Sequence, residues 1–360
     1  MRFSLYLNPQ TPGAAFDRDI IKAAAETAVI ADRAGFAGIC LTQHHFSNYN
    51  TYGNSFMFGS YLASQIKQAW LLLQVAVVPL QNPLVMVEDI NLLDQLWDGR
   101  LIVGLGSGGS PLEFEGLGRD PMNRHQVMAE VMSVAKRAWA HTAGDPPLEY
   151  QTAHDRGVMR GRIMPGPFRQ PHPLLARPAI RPVSWGEAGR QGVPLFFGRV
   201  GLDSAGQVMA DYNAGLEESG LDEAQKAFCR SWSTMQKTVM VAATDAEAQA
   251  AIDEPLNNLH RLSVAAFAAY GDAQRKAVTG VSGDDPAAFR KAFVEGATMI
   301  GSPETFAGLI RQYESVGIQH IALHMNFGFM DPAVTRRSLE LFVDKVMPQF
   351  SSERPQSAAA

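Results

Sequence analysis

Residues 71–105 have the sequence LLLQVAVVPLQNPLVMVEDINLLDQLWDGRLIVGL, which contains a complete strand–helix–strand unit. Residues 71–78 are nearly all apolar, as a strand buried on both faces must be. Pro83 begins a segment with helical spacing that continues to Leu96, and a short turn then leads into a second apolar strand at 101–105. Two apolar strands joined by such a helix predict a parallel pair with a helical crossover.

The same alternation of apolar runs and amphipathic stretches continues along the chain. It predicts further strands at residues 3–7, 36–42, 173–177, 193–197, 238–243 and 318–324. It also predicts helices at residues 17–34, 54–67, 122–141, 245–270, 303–316 and 332–346. Eight strand–helix units without a break in composition predict an α/β fold, a (β/α)8 TIM barrel formed as one domain by residues 1–350. An open, doubly wound sheet is the rival architecture.

Three segments interrupt or follow this alternation. Residues 143–171 are rich in Gly, Pro and Arg and predict an irregular excursion from the barrel. A second polar stretch lies around residues 271–287. The tail at residues 351–360 is expected to be disordered.

The composition limits the possible partners. The 360 residues are 46% hydrophobic, which is enough for one large core, and the net charge of -5 comes from acids and bases that are interspersed. Since no basic patch is present, no nucleic-acid binding is expected. A small-molecule substrate fits this balance better.

The cysteine count and the hydropathy indicate a compartment. Two cysteines, Cys40 and Cys229, do not provide a disulfide framework or a thiolate metal site, and they favour a reducing environment. No apolar stretch approaches the ~20 residues needed to cross a bilayer. The N-terminal segment lacks the pattern of a signal peptide. We therefore expect a cytoplasmic protein without a membrane association.

Candidate catalytic residues lie where the predicted strands end, because barrel active sites form at the C-terminal ends of strands. The second strand is followed by Gln43, His44 and His45. Neighbouring residues of an extended chain point to opposite sides, and no third ligand stands at a metal-like spacing, so no metal site is expected. One imidazole in the barrel mouth and two purely structural histidines are both compatible with the sequence.

The fourth strand ends in the glycine-rich segment GLGSGGS, residues 104–110. Taken literally, Gly104, Gly106 and Gly109 match the dinucleotide-binding fingerprint. That fingerprint opens the first βαβ unit and leads directly into a helix, whereas the next strong helix here is expected near Met122. A nicotinamide dehydrogenase is therefore the least favoured function.

A second interpretation of this segment is a loop without side chains. In that case Gly106, Ser107 and Gly108 let the backbone approach a flat ring or a phosphate closely. A tight turn without any ligand is the third interpretation.

Other charged residues are expected to be mainly structural. The acids of the third helix, Glu88, Asp89 and Asp94, have the spacing of caps, ion pairs or packing partners. Around the excursion there is a basic cluster, of which one or two members could meet a phosphate: Arg160, Arg162, Arg169, Arg177 and Arg181.

Short motifs also stand in a characteristic order. In the first hundred residues they are Gly35-Phe36, Gln43-His44-His45-Phe46, Tyr52-Gly53-Asn54, Val77-Val78-Pro79-Leu80, residues 88–95 and Asp98-Gly99-Arg100. Near the end they are Gly301-Ser302-Pro303-Glu304, Gly317-Ile318, Leu341-Phe342 and Val346-Met347-Pro348. With these motifs the chain resembles the bacterial-luciferase-like family of flavin monooxygenases. The resemblance spans about residues 1–350 and thins between residues 143 and 290.

The resemblance implies a (β/α)8 barrel that binds reduced FMN delivered by a separate flavin reductase. In this family oxygen adds to the flavin, and the resulting flavin hydroperoxide oxygenates a small apolar aldehyde, ketone or similar substrate. His44 falls on the family's catalytic histidine, which acts as a general acid or base near the flavin. Gln74-Val75 falls where the family carries a non-proline cis peptide beneath the flavin ring. A homodimer is also implied.

Three departures from the family concern charge around the flavin. Gln43 stands where luciferases have a glutamate, so a negative charge beside the histidine is expected to be missing. Ser107 stands where they have an arginine that holds the flavin phosphate. Residues 175–184 replace a stretch of flavin contacts, although Ser184 matches the family's phosphate-binding hydroxyl. We expect the phosphate to be held by Ser107, Ser184 and a relocated arginine, with Arg124 and Arg181 as candidates.

Two other functions within the same fold remain open. Members of the wider superfamily use a deazaflavin for hydride transfer and need no oxygen. A non-catalytic partner subunit would lack the catalytic histidine, so the presence of His44 argues against it.

Overall fold

A computed structural model describes residues 1–266 and 286–350 of the chain. These residues contain eleven strands, numbered in chain order: β1 (Arg2–Leu7), β2 (Gly38–Leu41), β3 (Trp70–Val77), β4 (Leu101–Gly106), β5 (Leu148–Gln151), β6 (Arg156–Met159), β7 (Leu174–Pro178), β8 (Leu195–Gly198), β9 (Thr234–Val241), β10 (Thr298–Gly301) and β11 (His320–His324).

Eight of these strands close into a parallel barrel. Their order around the barrel is β9-β11-β1-β2-β3-β4-β7-β8, and β8 pairs with β9 to complete the ring. In that closing pair Phe196 lies opposite Thr234 and Gly198 opposite Gln236. The predicted TIM barrel is therefore confirmed over the open sheet. β10 lies outside the ring and extends it by pairing only with the second half of β9.

Helices connect the strands and surround the barrel. They are α1 (Asp17–Ala34), α2 (Ser55–Ala63), α3 (Pro83–Leu96), α4 (Pro111–Gly116), α5 (Arg124–Ala140), α6 (Pro182–Arg190), α7 (Leu202–Glu217), α8 (Glu223–Trp232), α9 (Asp245–Ala251), α10 (Asp253–Ala266), α11 (Pro286–Ala297), α12 (Pro303–Ser315) and α13 (Pro332–Leu341).

The boundaries of α1 and α3 show how local chemistry sets the crossovers. α1 ends at Gly35, whose φ of 91° lies in the left-handed region that glycine adopts without a Cβ clash. α3 begins after Asn82, whose side chain accepts hydrogen bonds from the backbone N–H groups of Leu84 and Val85. Pro83 occupies the first helical position, where no backbone donor is needed.

Apolar side chains fill the middle of the barrel, and polar ones line its C-terminal end. The buried interior cluster comprises Cys40, Leu72, Ile102, Ala176, Phe196, Trp232 and Ala322. Two residues further along their strands, the same faces carry Gln74 and His324, while Tyr6 and Gln236 point the same way on β1 and β9. The barrel mouth is therefore polar above an apolar plug.

The excursion at residues 143–171 is more regular than the sequence predicts. It contains an antiparallel hairpin in which β5 pairs with β6, from Leu148 opposite Met159 to Gln151 opposite Arg156. Each hairpin strand has only four residues and no continuous apolar run, so their pattern gave no strand signal.

Other boundaries also differ from the prediction. β9 begins at residue 234 rather than 238, and β10 and α11 were not predicted. The helix expected over 245–270 is broken at Ile252, between α9 and α10. The remainder of that helix, most of the polar stretch near 271–287 and the tail at 351–360 lie outside the described residues.

We predict that His320 makes the fold sensitive to acid. The ring is fully buried, its Nε2 lies 2.7 Å from Ser4 Oγ, and burial lowers its pKa to about 3. Between pH 6.5 and 3 this imidazole is therefore protonated in the unfolded chain but neutral in the folded protein. The free energy of unfolding consequently decreases as the pH falls, by up to ~1.4 kcal/mol per pH unit.

Urea unfolding of the wild type and His320→Gln at pH 7, 6 and 5 measures this slope. The variant is expected to lose stability less steeply than the wild type below pH 6.5. The control His154→Gln changes a half-buried histidine of the hairpin loop and is expected to keep the wild-type slope. Equal slopes for the wild type and His320→Gln would contradict the assignment.

Candidate active site

The C-terminal ends of β2, β3 and β4 bring together the predicted neighbours of the flavin ring. Gln43 and His44 follow β2, Gln74 and Val75 lie near the end of β3, and Gly106 ends β4. Because these three strands are adjacent in the barrel, their ends form one side of the mouth.

Gln43 joins two of these strands. Its buried Oε1 accepts a hydrogen bond of 2.8 Å from the backbone N–H of Val77 on β3. Its amide Nε2 donates to His45 Nε2 at 2.9 Å. Gln43 is thus a bridge between β2 and β3 and holds the second histidine.

The peptide bond between Gln74 and Val75 is cis, as the resemblance implies. Gln74 points into the barrel and donates a hydrogen bond from Nε2 to Thr234 Oγ1 on β9. A Cβ placed on Gly106 would lie 2.5 Å from Val75 Cγ2, so only glycine fits beside Val75 at this point of β4.

The glycine-rich segment is divided between strand and loop. Gly104 and Gly106 belong to β4, and a Cβ on Gly104 would meet Phe196 Cδ2 and the Leu73 carbonyl oxygen at 2.7 Å. These glycines serve strand packing rather than a dinucleotide loop. Gly108 has a φ of 70°, and a Cβ on Gly109 would meet nothing within 4 Å. The loop is therefore without side chains where it faces open space.

One element of this loop was not predicted. A short helix of six residues, α4, begins at Pro111, ahead of the strong helix predicted near Met122, which is α5. The dinucleotide fingerprint nevertheless fails, because β4 is the fourth strand of a closed barrel and not the first of an open sheet.

α4 places a carboxylate on the candidate catalytic histidine. Glu113 Oε1 lies 2.9 Å from His44 Nδ1 and accepts a second hydrogen bond of 3.2 Å from the backbone N–H of His45. The Glu113 side chain is 4% exposed and that of His44 34% exposed. With Nδ1 donating to Glu113, Nε2 is the nitrogen left for a ligand.

This pair corrects the expectation that a negative charge beside His44 is missing. Gln43 is uncharged, but the carboxylate reaches the ring from a different strand end. Phe46, which has a φ of 58°, packs its ring where a Cβ on Gly116 would lie, and so joins the His44 loop to α4.

His45 has a different environment, as the strand alternation predicts. Its Nε2 accepts from Gln43, its ring lies 5.6 Å from that of Phe46, and burial lowers its pKa. A neutral imidazole with Nδ1 protonated satisfies these contacts. His45 is therefore a structural residue of the mouth.

The loop after β2 is tied to the barrel on both sides of His44. The Tyr52 hydroxyl donates to the Leu7 carbonyl at 2.8 Å and accepts from the Thr42 N–H at 2.8 Å. Asn50 donates to Thr42 Oγ1 at 2.7 Å. These bonds fix the ends of the loop that carries His44 and Tyr49.

Tyr49 connects His44 to the opposite side of the mouth. Its ring stands edge-on to His44, with centroids 4.9 Å apart. Its hydroxyl accepts a hydrogen bond of 3.0 Å from Arg199, which directly follows β8. Arg199 is exposed and also interacts electrostatically with Tyr6 and His324, on β1 and β11.

A buried lysine holds the loop that carries Arg199. Lys237 Nζ donates to the carbonyl of Val200 at 2.6 Å, to that of Gly296 at 3.0 Å and to the Tyr313 hydroxyl at 2.7 Å. The side chain is fully buried, and burial lowers its pKa to about 7. Lys237 therefore anchors the backbone next to Arg199 to α11 and α12.

The residues expected to hold a phosphate lie after β4 and β7. Ser107 follows β4, and Arg181 and Ser184 stand at the start of α6, after β7. β4 and β7 pair directly. Arg124, at the start of α5, donates to the Pro121 carbonyl at 2.9 Å. Burial, then the positive charges of Arg124 and Arg181, lower the pKa of His125, so both arginines lie on the same side of the barrel as His125.

Most of the remaining basic cluster is structural. Arg177 forms an ion pair with Glu187, and Arg169 donates to the Gly99 carbonyl and stacks over Trp70. Arg160 and Arg162 are exposed. Among the acids of α3, Asp94 accepts from the backbone N–H of Arg169 at 2.8 Å.

Within residues 1–266 and 286–350, no group of three or more His, Cys, Asp or Glu side chains is arranged to hold a metal ion. In the same part of the chain, no helix combines the length and the apolar character that a bilayer span requires.

Three residues of the site were not predicted. Glu113 follows a glycine loop at a strand end, a position at which an acid is a recognisable signal in a barrel. Arg199 directly follows the eighth strand and carries the same signal. Tyr49 lies within a loop, and no sequence pattern distinguishes it.

Comparison with known proteins gives the chain a family context. Residues 1–320 match the family of luciferase-like monooxygenases. The chain is 24% identical over 370 residues to the oxygenase component of the flavin-dependent trigonelline monooxygenase of Acinetobacter baylyi, with 98% of this chain and 97% of the relative covered.

Solved structures share the fold. The oxygenating constituent of 3,6-diketocamphane monooxygenase from Pseudomonas putida, solved with FMN, superposes with a TM-score of 0.77 at 21% identity and covers 98% of this chain and 99% of its own. An F420-dependent secondary alcohol dehydrogenase superposes with a TM-score of 0.71 at 15% identity, with coverages of 98% and 99%.

We predict that Glu113 sets the tautomer of His44. Glu113→Met removes the acceptor of Nδ1–H, so the ring is expected to shift toward the Nε2–H tautomer. The N–H of the half-buried His45 also loses its partner, which lowers the free energy of unfolding by about 1 kcal/mol. Nitrogen NMR of the imidazole and urea unfolding measure the two effects.

Two further variants test this prediction. Glu113→Gln keeps an oxygen acceptor and is expected to retain most of the Nδ1–H tautomer of His44 and most of the wild-type free energy of unfolding. Glu115→Met changes an exposed acid of the same helix and is expected to alter neither. A wild-type His44 protonated at Nε2 would rule out the assignment.

Proposed function

The chain belongs to the luciferase-like monooxygenase family, and from this membership and the site geometry we propose that it uses reduced FMN and O2 to oxygenate a small carbonyl compound. Its homologues are named monooxygenases, and the protein is an oxidoreductase. The observation that carries the proposal is the His44–Glu113 pair at the C-terminal mouth of the barrel.

The residues at the mouth fit a flavin mononucleotide. A Cβ on Gly109 would meet nothing within 4 Å, so the backbone of the loop after β4 is open on that side, where a flat ring could approach it. For the phosphate, Ser107 and Ser184 offer hydroxyl groups, and Arg181 and Arg124 offer positive charge. The pairing of β4 with β7 supports a phosphate site shared between their ends.

In this proposal the bound flavin supplies the electrons that activate oxygen. His44 Nε2 holds or transfers a proton at the mouth, since Nδ1 is bound to Glu113. Glu113 orients the ring and carries the opposite charge when the imidazole is protonated. Gln43 holds the ends of β2 and β3 together, which fixes the position of the chain from which His44 projects.

We propose that a separate flavin reductase supplies the reduced flavin. The trigonelline relative is named as an oxygenase component, which supports a two-component system. A deazaflavin is the second candidate cofactor, because the F420-dependent dehydrogenase shares the fold over 98% of this chain. Spectral titration with FMN and with F420 separates the two cofactors. Binding of F420 alone would refute the FMN proposal.

A homodimer is the proposed assembly. α2 and α3 pack against each other through the bond from Trp97 Nε1 to the Gly59 carbonyl at 3.1 Å. Their outer faces expose large apolar side chains, with exposures of 43–73%: Met57, Tyr61, Val85, Leu92 and Leu96. Five large apolar side chains exposed on two neighbouring helices favour burial against a second copy.

We predict that His44→Ala keeps flavin binding and loses turnover. Removing the imidazole leaves the glycine-rich loop after β4 and the proposed phosphate ligands unchanged, so flavin binding is expected to persist. It removes the group that transfers a proton, so substrate-coupled oxygen consumption is expected to fall by about 100-fold or more. The assay supplies FMN, a flavin reductase and a panel of aldehydes and cyclic ketones. His154→Ala, in the hairpin loop, is the matched control. Full turnover in His44→Ala would refute the proposed role.

We also predict that Leu92→Glu combined with Met57→Glu produces monomers. Two charges in the apolar face oppose its burial, whereas the wild type is expected at twice the chain mass. Size-exclusion chromatography with light scattering measures the mass. Val158→Glu, an exposed apolar residue of the hairpin, is expected to leave the dimer unchanged. A monomeric wild type at micromolar concentration would refute the assembly.

A further inference from the structure

Arg199 is held in an unusual backbone conformation at the barrel mouth. Its φ is 58°, in the left-handed region that long side chains seldom adopt. Lys237 fixes the adjacent carbonyl of Val200, so the surrounding structure maintains this conformation. Backbone conformations of this kind at a strand end are concentrated at functional sites.

The guanidinium has no acidic partner within the part of the chain that the structure describes. Its bond is to the Tyr49 hydroxyl, at 3.0 Å. Because an Arg cannot accept, the Tyr49 oxygen is the acceptor and its own proton is free to point elsewhere. The remaining N–H groups of Arg199 and the O–H of Tyr49 together form a set of donors with a positive charge.

The groups around this donor set are neutral. Desolvation raises the pKa of the Tyr6 hydroxyl well above its usual range, so it stays a protonated donor. Burial lowers the pKa of His324 to about 4, and its buried Nε2 has no hydrogen-bond partner among the described residues. The His324 ring lies 5.3 Å from Tyr6. This side of the mouth therefore holds one positive charge and no compensating negative group among the residues described.

We propose that Arg199 and Tyr49 bind a carboxylate on the substrate, so that the enzyme oxygenates a carbonyl compound that is also an acid. The planar guanidinium matches a carboxylate, and the Tyr49 hydroxyl adds a third donor. The ring of Tyr49 stands edge-on to that of His44, with centroids 4.9 Å apart. A carboxylate bound to the Tyr49 hydroxyl is therefore separated from the proton-transferring imidazole by the width of the Tyr49 ring. The proposal rests on the proposed function and names the substrate class of that site.

The position of Arg199 separates this role from that of a flavin phosphate ligand. The phosphate candidates follow β4 and β7, whereas Arg199 follows β8 and contacts the loop after β2. A contact between Arg199 and the flavin is the alternative that the experiment must exclude.

Matched acid and ester probes test the proposal. Levulinate and para-formylbenzoate are compared with their methyl esters, and dissociation constants are measured by ligand-observed NMR on the flavin-free protein. The wild type is expected to bind each acid about 10-fold or more tightly than its ester. In Arg199→Gln the preference is expected to fall to about 1, while Arg199→Lys retains part of it. Arg336→Gln, an exposed arginine of α13, is the matched control and keeps the full preference.

FMN titration of the same variants distinguishes the possible failures. Arg199→Gln is expected to bind FMN as tightly as the wild type does. An acid preference that is absent from the wild type, or that survives in Arg199→Gln, overturns the proposal. A fall in FMN affinity with the preference intact assigns Arg199 to the flavin instead. A wild type that prefers the acids but binds no FMN refutes the proposed function and leaves the carboxylate site supported.

Discussion

The pairing of β8 with β9 is the constraint on which the candidate site depends. Without those hydrogen bonds the strands would form an open sheet, and the end of β8 would lie far from the end of β2. Closure places the His44–Glu113 side of the mouth opposite the Arg199 side, and Tyr49 then reaches both. The apolar plug below excludes water from the barrel, so the polar groups concentrate at the C-terminal rim.

The sequence predicts strands well where both faces are apolar. β3 and β4 lie within one residue of their predicted ends, and α1 and α3 match at both ends because a glycine and an asparagine cap mark them. The first half of β9 was missed because Gln236 faces the mouth and Lys237 is buried among three hydrogen-bond acceptors. A strand with polar residues on both faces gives neither an apolar run nor an alternating pattern.

The site was predictable in part for a similar reason. His44 and Gln43 stand at a strand end, where position alone indicates a function. Glu113 is separated from His44 by 69 residues, and no local spacing connects them. The absence of a glutamate at position 43 therefore predicted a missing charge, whereas the fold supplies a carboxylate from α4. The chemical environment of a residue in a barrel is set by neighbouring strand ends more than by its neighbours in sequence.

The way in which the loop after β8 is anchored affects which side chains position 199 can accept. Lys237 donates a hydrogen bond to the backbone carbonyl of Val200. Among the bonds described, it makes no contact with the guanidinium of Arg199. This anchor of the main chain therefore does not involve the side chain at position 199. Evolution or an engineer can exchange that side chain for Asn, Asp or Gly, which tolerate the same φ. If Arg199 binds the substrate carboxylate as proposed, such an exchange would redirect the selectivity of the barrel while its scaffold and the His44–Glu113 pair stay as they are.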